Sequence, residues 1–299
     1  MSTTPKTQTD NDPGRLPMTL PRLAEKKRLG EPIVMVTAYD FPSGQIVDGA
    51  GADIVLVGDS GAEVVLGYES TVSVSIEEML MLTAATRRGV RSALLVADLP
   101  FGSYEASDEQ AIRTAQRFVK EAHADAVKLE GGGAAQLSRV RATVAAGIPV
   151  MGHVGLTPQT ATALGGRRAQ GRTAQRALIV AAEALALEEA GAFAVVFEAI
   201  PASVAAEITA LLEIPVIGIG AGSATDGQVL VLHDMLGIYP GRAPRFAKQY
   251  VELRTVMTAA VSDYAEEVRT RRFPTAEHSF SIDPAELRGF REGLAEFER

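Results

Sequence analysis

Short runs of aliphatic and β-branched residues recur along the chain: "IVMVTAY" (33–39), "DIVLVG" (53–58), "ALLVADL" (93–99), "AVKLEG" (126–131), "IPVMGHVG" (148–155), "FAVVFEAI" (193–200), "IPVIGIGAG" (214–222) and, more weakly, "QVLVLHD" (228–234). Each reads as a short strand buried on both faces. Between most of them lie segments with helical spacing, such as "SIEEMLMLTAATRRG" (75–89), "DEQAIRTAQRFVKEAH" (108–123) and "RALIVAAEALALEEAG" (176–191). "TLPRLAEKKRLG" (19–30) predicts a helix ahead of the first strand, capped by Thr19, with Pro21 in its first turn and Gly30 as its stop. A last helix is expected near 244–268.

Strand and helix alternating eight times predict a parallel sheet covered by helices, closed as one (β/α)8 TIM barrel with an N-terminal helix and a C-terminal helical extension. The runner-up, a doubly wound open sheet, lacks its G-x-G-x-x-G fingerprint after "IVMVTAY". No linker-like composition breaks the series. The expected partition is therefore a disordered leader at 1–18, a barrel domain at 19–280 and a tail at 281–299.

Composition narrows the function classes. The net charge of −8 argues against nucleic acid and anionic lipid as partners, and Lys26-Lys27-Arg28, Arg167-Arg168 and Arg271-Arg272 are short clusters. The chain has no cysteine, which removes disulfides, thiolate metal sites and cysteine nucleophiles. No apolar run approaches the roughly 18 residues of a membrane span, and the polar first residues lack a signal peptide's apolar stretch. A cytoplasmic protein is the expectation.

Barrel enzymes build their sites at the C-terminal strand ends, so the polar residues there carry the argument. They are Tyr39-Asp40, Asp59-Ser60, Asp98, Lys128 with Glu130, His153 and Glu198. An acid after a strand is commonly a helix cap or turn former, but Asp98 precedes Leu99-Pro100, which starts no helix. Lys128 and Glu130 share one strand parity and face the barrel interior, either as a structural ion pair or as part of a site. Asp59, Asp98 and Glu130, on adjacent strands, suit a hard divalent ion such as magnesium, directly or through water. Four histidines and no cysteine argue against zinc. Glu198 follows the apolar run "FAVVF", which predicts a desolvated carboxylate suited to act as a base. His153 reads more readily as a satisfied strand-end histidine than as a proton shuttle.

The ordered set "VTAYD", "VLVGDS", "ADLPFGSY", "VKLEGG", "GHVGLTPQ", "PVIGIGAG", "DGQVLVLHD" and "EHSF", from about Pro21 to Phe280, resembles the ketopantoate hydroxymethyltransferase family. The resemblance implies a (β/α)8 enzyme that transfers a hydroxymethyl group from 5,10-methylenetetrahydrofolate to 3-methyl-2-oxobutanoate, giving 2-dehydropantoate for pantothenate synthesis. It implies one Mg2+ per subunit on Asp59, Asp98 and Glu130, oxoacid contacts from Asp59, Ser60, Asp98 and Lys128, Glu198 as proton acceptor, and a homodecamer. "GGRRAQGR" departs from the family pattern, with Arg167-Arg168 in place of an aromatic and a lysine. The rival readings are a magnesium-dependent carbon–carbon lyase of the phosphoenolpyruvate mutase and isocitrate lyase type, and a catalytically silent binding barrel.

Overall fold

The computed structural model describes residues 15–239, 241 and 244–297. Its strands are β1 (Ile33–Thr37), β2 (Ile54–Val57), β3 (Leu94–Asp98), β4 (Ala126–Lys128), β5 (Val150–Gly155), β6 (Ala194–Glu198), β7 (Val216–Ile219) and β8 (Gly227–Leu230). They pair in sequence order, all parallel, and β8 closes on β1. Helix α1 (Leu20–Leu29) precedes the barrel. The first six connections carry α2 (Phe41–Gly49), α3 (Gly61–Val64) with α4 (Ile76–Gly89), α5 (Asp108–Glu121), α6 (Ala134–Ala145), α7 (Ala174–Glu189) and α8 (Ala202–Thr209), and α9 (Leu232–Leu236) follows β8.

The helices begin where the sequence supplies a cap. Thr19, Asp40, Ser75, Ser107 and Thr173 each accept a backbone N–H from the first turn, and Gly30 ends α1 in the left-handed region at φ +68. The strict eightfold alternation fails at one connection. β7 runs to β8 through residues 220–226 without a helix. That segment is short, Gly220 and Gly222 take positive φ, and Asp226 ties it back by accepting from Val216 N–H and Lys27 Nζ.

Strand parity separates two apolar layers. Ile54, Val96, Ala126, Met151, Val196 and Ile217 fill the barrel, while Val55, Leu95, Val127, Leu129 and Val195 pack outward with the helices. Contacts group the chain into two compact units that divide between Tyr250 and Val251, well before the boundary expected at Phe280. The helix expected from 244 begins only at α10 (Leu253–Arg269). Upstream of it, Phe246 lies against Gly220 and Tyr250 N–H bonds to Met235 O, which holds this stretch in a non-helical path on the barrel.

Of the expected leader, residues 1–14 lie outside the described residues. Within residues 15–18, Met18 is buried with its N–H on Ser92 O and Arg15 reaches Asp48 O and Gly51 O, while Leu16 and Pro17 are exposed. The C-terminal unit holds α10, a short turn at Ala276–His278 and α11 (Pro284–Phe297). Within it the Phe273 ring contacts Tyr264 and His278.

Candidate active site

Pairing in register sets Asp98 of β3 beside Lys128 of β4. Asp59 and Glu130 follow the ends of β2 and β4, so adjacent strands deliver all four groups, each buried, to one rim. Lys128 Nζ is 2.9 Å from Asp98 Oδ1, and Asp98 Oδ2 accepts the Asp59 N–H at 3.0 Å. The structural pair considered for Lys128 and Glu130 does not form. Lys128 turns to Asp98, and Glu130 Oε1 lies 3.4 Å from His153 Nδ1.

His153 is the junction of this cluster. Its Nδ1 is 3.3 Å from Lys128 Nζ, and its Nε2 faces Glu198 Oε2 at 3.2 Å, without a well-directed hydrogen bond. Burial and Lys128 both work to lower its pKa, yet the nearby carboxylates of Glu130 and Glu198 outweigh them and push it up to about 9. The strand-end histidine is thus paired on both ring nitrogens with acids of the cluster. Strand parity exposed its position, but only the fold shows the two glutamates that flank it.

Asp59 has the opposite problem. Burial first, then repulsion from Glu130 and Asp98, push its pKa up to about 8. Burial also works to raise Glu130, but hydrogen bonding and charge from His153, with Lys128 behind them, hold it below the usual carboxylate range. For Lys128, burial favours loss of the proton, and the charges of Asp98, Glu130 and Asp59 prevail and raise its pKa.

Glu198 ends β6 but is not sealed from water: its side chain keeps 16% exposure and faces the cleft. Val196 of the apolar run before it lines the same cleft, and the His153 ring is its neighbour. Ala199, next in the chain, sits at φ +50, strained for a residue with a Cβ. Its N–H bonds to Ile219 O and its carbonyl accepts from Gln170 N–H, which holds that turn and aims Glu198.

Ser60 Oγ is 2.9 Å from Tyr39 OH. Gly61 permits this, since a Cβ there would stand 2.8 Å from Tyr39 Cδ1. Gln159, in the turn Pro158–Thr160 after β5, donates from Nε2 to Asp59 Oδ2 and from its backbone N–H to Glu130 Oε2, each at 3.0 Å. No strand-end rule finds it; its one sequence signal is its place in "GHVGLTPQ". Asp59, Ser60, Asp98, Lys128, Glu130, His153 and Glu198 line a cleft of about 510 Å³ that Arg167, Arg168 and Arg245 also line. Arg167 is bonded to Glu63, which meets part of the charge of the Arg167-Arg168 pair.

The donor set fits a hard cation. Three buried acids, Asp59, Asp98 and Glu130, share one lysine. Among the described residues, no three Asp, Glu, His or Cys side chains converge on one point.

A family model described as ketopantoate hydroxymethyltransferase matches residues 17–276. The 3-methyl-2-oxobutanoate hydroxymethyltransferase of Moorella thermoacetica is 55% identical over 263 residues, 88% of this chain and 97% of its own. The mitochondrial 3-methyl-2-oxobutanoate hydroxymethyltransferase 1 of Arabidopsis thaliana is 50% identical over 91% of this chain and 80% of its own. Among solved structures, a phosphonopyruvate hydrolase in complex with oxalate and Mg++ superposes with a TM-score of 0.57 at 14% identity, covering 94% of this chain and 98% of its own. A 2,3-dimethylmalate lyase gives 0.52 at 13%, covering 90% and 93%. At such identities these two speak for the barrel alone. With half or more of its residues shared with those two relatives over most of its length, the chain belongs to the ketopantoate hydroxymethyltransferase family.

Proposed function

We propose that this chain transfers a hydroxymethyl group from 5,10-methylenetetrahydrofolate to 3-methyl-2-oxobutanoate, giving 2-dehydropantoate. The observation that carries the proposal is the run of groups from the buried Asp59, Asp98, Lys128, Glu130 and His153 to the half-buried Glu198 in one cleft, within a chain of this family. A magnesium ion on Asp59, Asp98 and Glu130, directly or through water, would draw electrons from the oxoacid carbonyl and acidify its C3 hydrogen.

The protein's own groups do the rest. Lys128, kept charged by three carboxylates, pairs with the oxoacid carboxylate. Ser60, held by Tyr39, and Asp98 fix the substrate's orientation. Glu198 takes the C3 proton, with the His153 ring beside its carboxylate. The C3 carbanion then forms a bond to the folate methylene carbon. The bonds from that carbon to folate nitrogen break, the nitrogens end protonated, and water supplies the oxygen of the new hydroxyl. The cleft arginines Arg168 and Arg245 offer charge to the anionic co-substrate. Assembly as a homodecamer is proposed with this reading.

The test is product formation. Release of 2-dehydropantoate and tetrahydrofolate that requires magnesium, 3-methyl-2-oxobutanoate and 5,10-methylenetetrahydrofolate together supports the proposal. No turnover with all three present, alongside folate-independent cleavage of a 2-oxoacid or malate-type substrate, would replace it with a lyase.

A further inference from the structure

We infer that Gln159 is a positioning residue that fixes Asp59 and Glu130 in the geometry that receives the divalent cation. The inference rests on reading Asp59, Asp98 and Glu130 as that cation's ligands. Its basis is how one oxygen of each carboxylate is held. Asp98 Oδ2 takes the N–H of Asp59, Glu130 Oε2 takes the N–H of Gln159, and Asp59 Oδ2 takes the side-chain amide of Gln159. One residue thus restrains two of the three acids, from two different strands.

The orientation of the Gln159 amide follows from its neighbours. Leu99 O is an acceptor only, and it lies 3.0 Å from Nε2, so that end is the donor. Tyr104 OH accepts the N–H of Glu130 at 3.3 Å and so spends its proton on Gln159 Oε1 at 2.6 Å. With Asp59, Leu99 and Tyr104, both amide hydrogens and the carbonyl are used, in a side chain with 5% exposure. A buried amide this fully bonded has one rotamer available. The carboxylate it holds is restrained with it, as outer-shell partners restrain metal ligands generally.

Gln159 also opens the long segment from β5 to α7 that carries Arg167 and Arg168 to the cleft. Its amide therefore ties that segment's base to the acids.

The experiment is Mn2+ binding by calorimetry on the full-length protein, wild-type and Gln159→Met, which keeps the side chain's length and removes its amide. The expected result is affinity about 10- to 100-fold weaker in the variant. C3 hydrogen exchange of 3-methyl-2-oxobutanoate is expected to return toward the wild-type rate once manganese saturates the site. Equal affinity would overturn the inference, and so would a loss of exchange that saturating metal leaves unrecovered, since that marks a merely structural role. Tyr104→Phe removes only the hydroxyl that sets the amide. It is expected to weaken binding in the same direction, and it decides the matter if Gln159→Met fails to fold; unchanged affinity there overturns the inference. Absence of Mn2+ binding by the wild-type protein would overturn the metal reading itself and this inference with it.

Discussion

Asp59 and His153 both hold protons more tightly in the folded chain than outside it. Asp59 moves from 3.8 to about 8 because of burial and its acidic neighbours. His153 moves from 6.5 to about 9, through the nearby carboxylates of Glu130 and Glu198, which outweigh burial and Lys128. Stability falls with pH wherever the folded state binds more protons than the unfolded state. Asp59 thus costs stability as pH rises from about 4 to about 8, and His153 loses its contribution between about 6.5 and about 9. The thermal midpoint of chelator-treated protein is therefore expected to fall from pH 6.5 to pH 9, with added magnesium flattening the fall. A midpoint that rises over that interval contradicts this charge assignment. Asp59, Asp98, Lys128, Glu130 and Glu198 were legible in the sequence because each stands where an apolar run stops. The roles of His153 and Gln159 were not, because they depend on partners from other strands that only barrel closure brings within reach.

Helix capping and strand parity, both local, account for most of the elements. The departures are tertiary in origin. No helix joins β7 to β8, and the stretch after Pro244 stays non-helical, because contacts with β7, α9 and Gly220 hold those segments. The crossing of α2 and α4 is another tertiary feature. A Cβ on Gly89 would stand 2.3 Å from Phe41 O and 2.7 Å from Gln45 N, and one on Gly44 would stand 2.7 Å from Thr86 O. Two glycines thus let the helix backbones touch beneath the site's second and third strands. Gly89→Ala is expected to force them apart at a cost of about 1–3 kcal/mol in denaturant unfolding, with activity per folded molecule unchanged. An unfolding midpoint equal to wild type would show that the crossing yields without strain.

For the molecule as a whole, the periodic pattern was sufficient for the barrel because eight strands of one character admit few parallel arrangements. The boundary at Tyr250 was illegible, since α10 has helical spacing yet buries none of its residues. Val256, Met257, Val261 and Tyr264 on that helix are more than half exposed, the kind of surface that association covers. The proposed homodecamer predicts native mass spectrometry of a particle of ten 31.5 kDa chains; a monomer at micromolar concentration contradicts it. Among the described residues no helix is long and apolar enough to cross a membrane, so this exposure is not that of a spanning segment. The central claim is that this cleft enolises 3-methyl-2-oxobutanoate with Glu198 as the base. Its most direct measurement is deuterium uptake at C3 in D2O, followed by NMR with magnesium and no folate, on wild type and Glu198→Gln. Uptake that chelator stops is expected in the wild type, and a drop of about 100-fold or more in the variant while oxoacid binding persists. Uptake by Glu198→Gln at the wild-type rate, or none by the magnesium-loaded wild type, would contradict it.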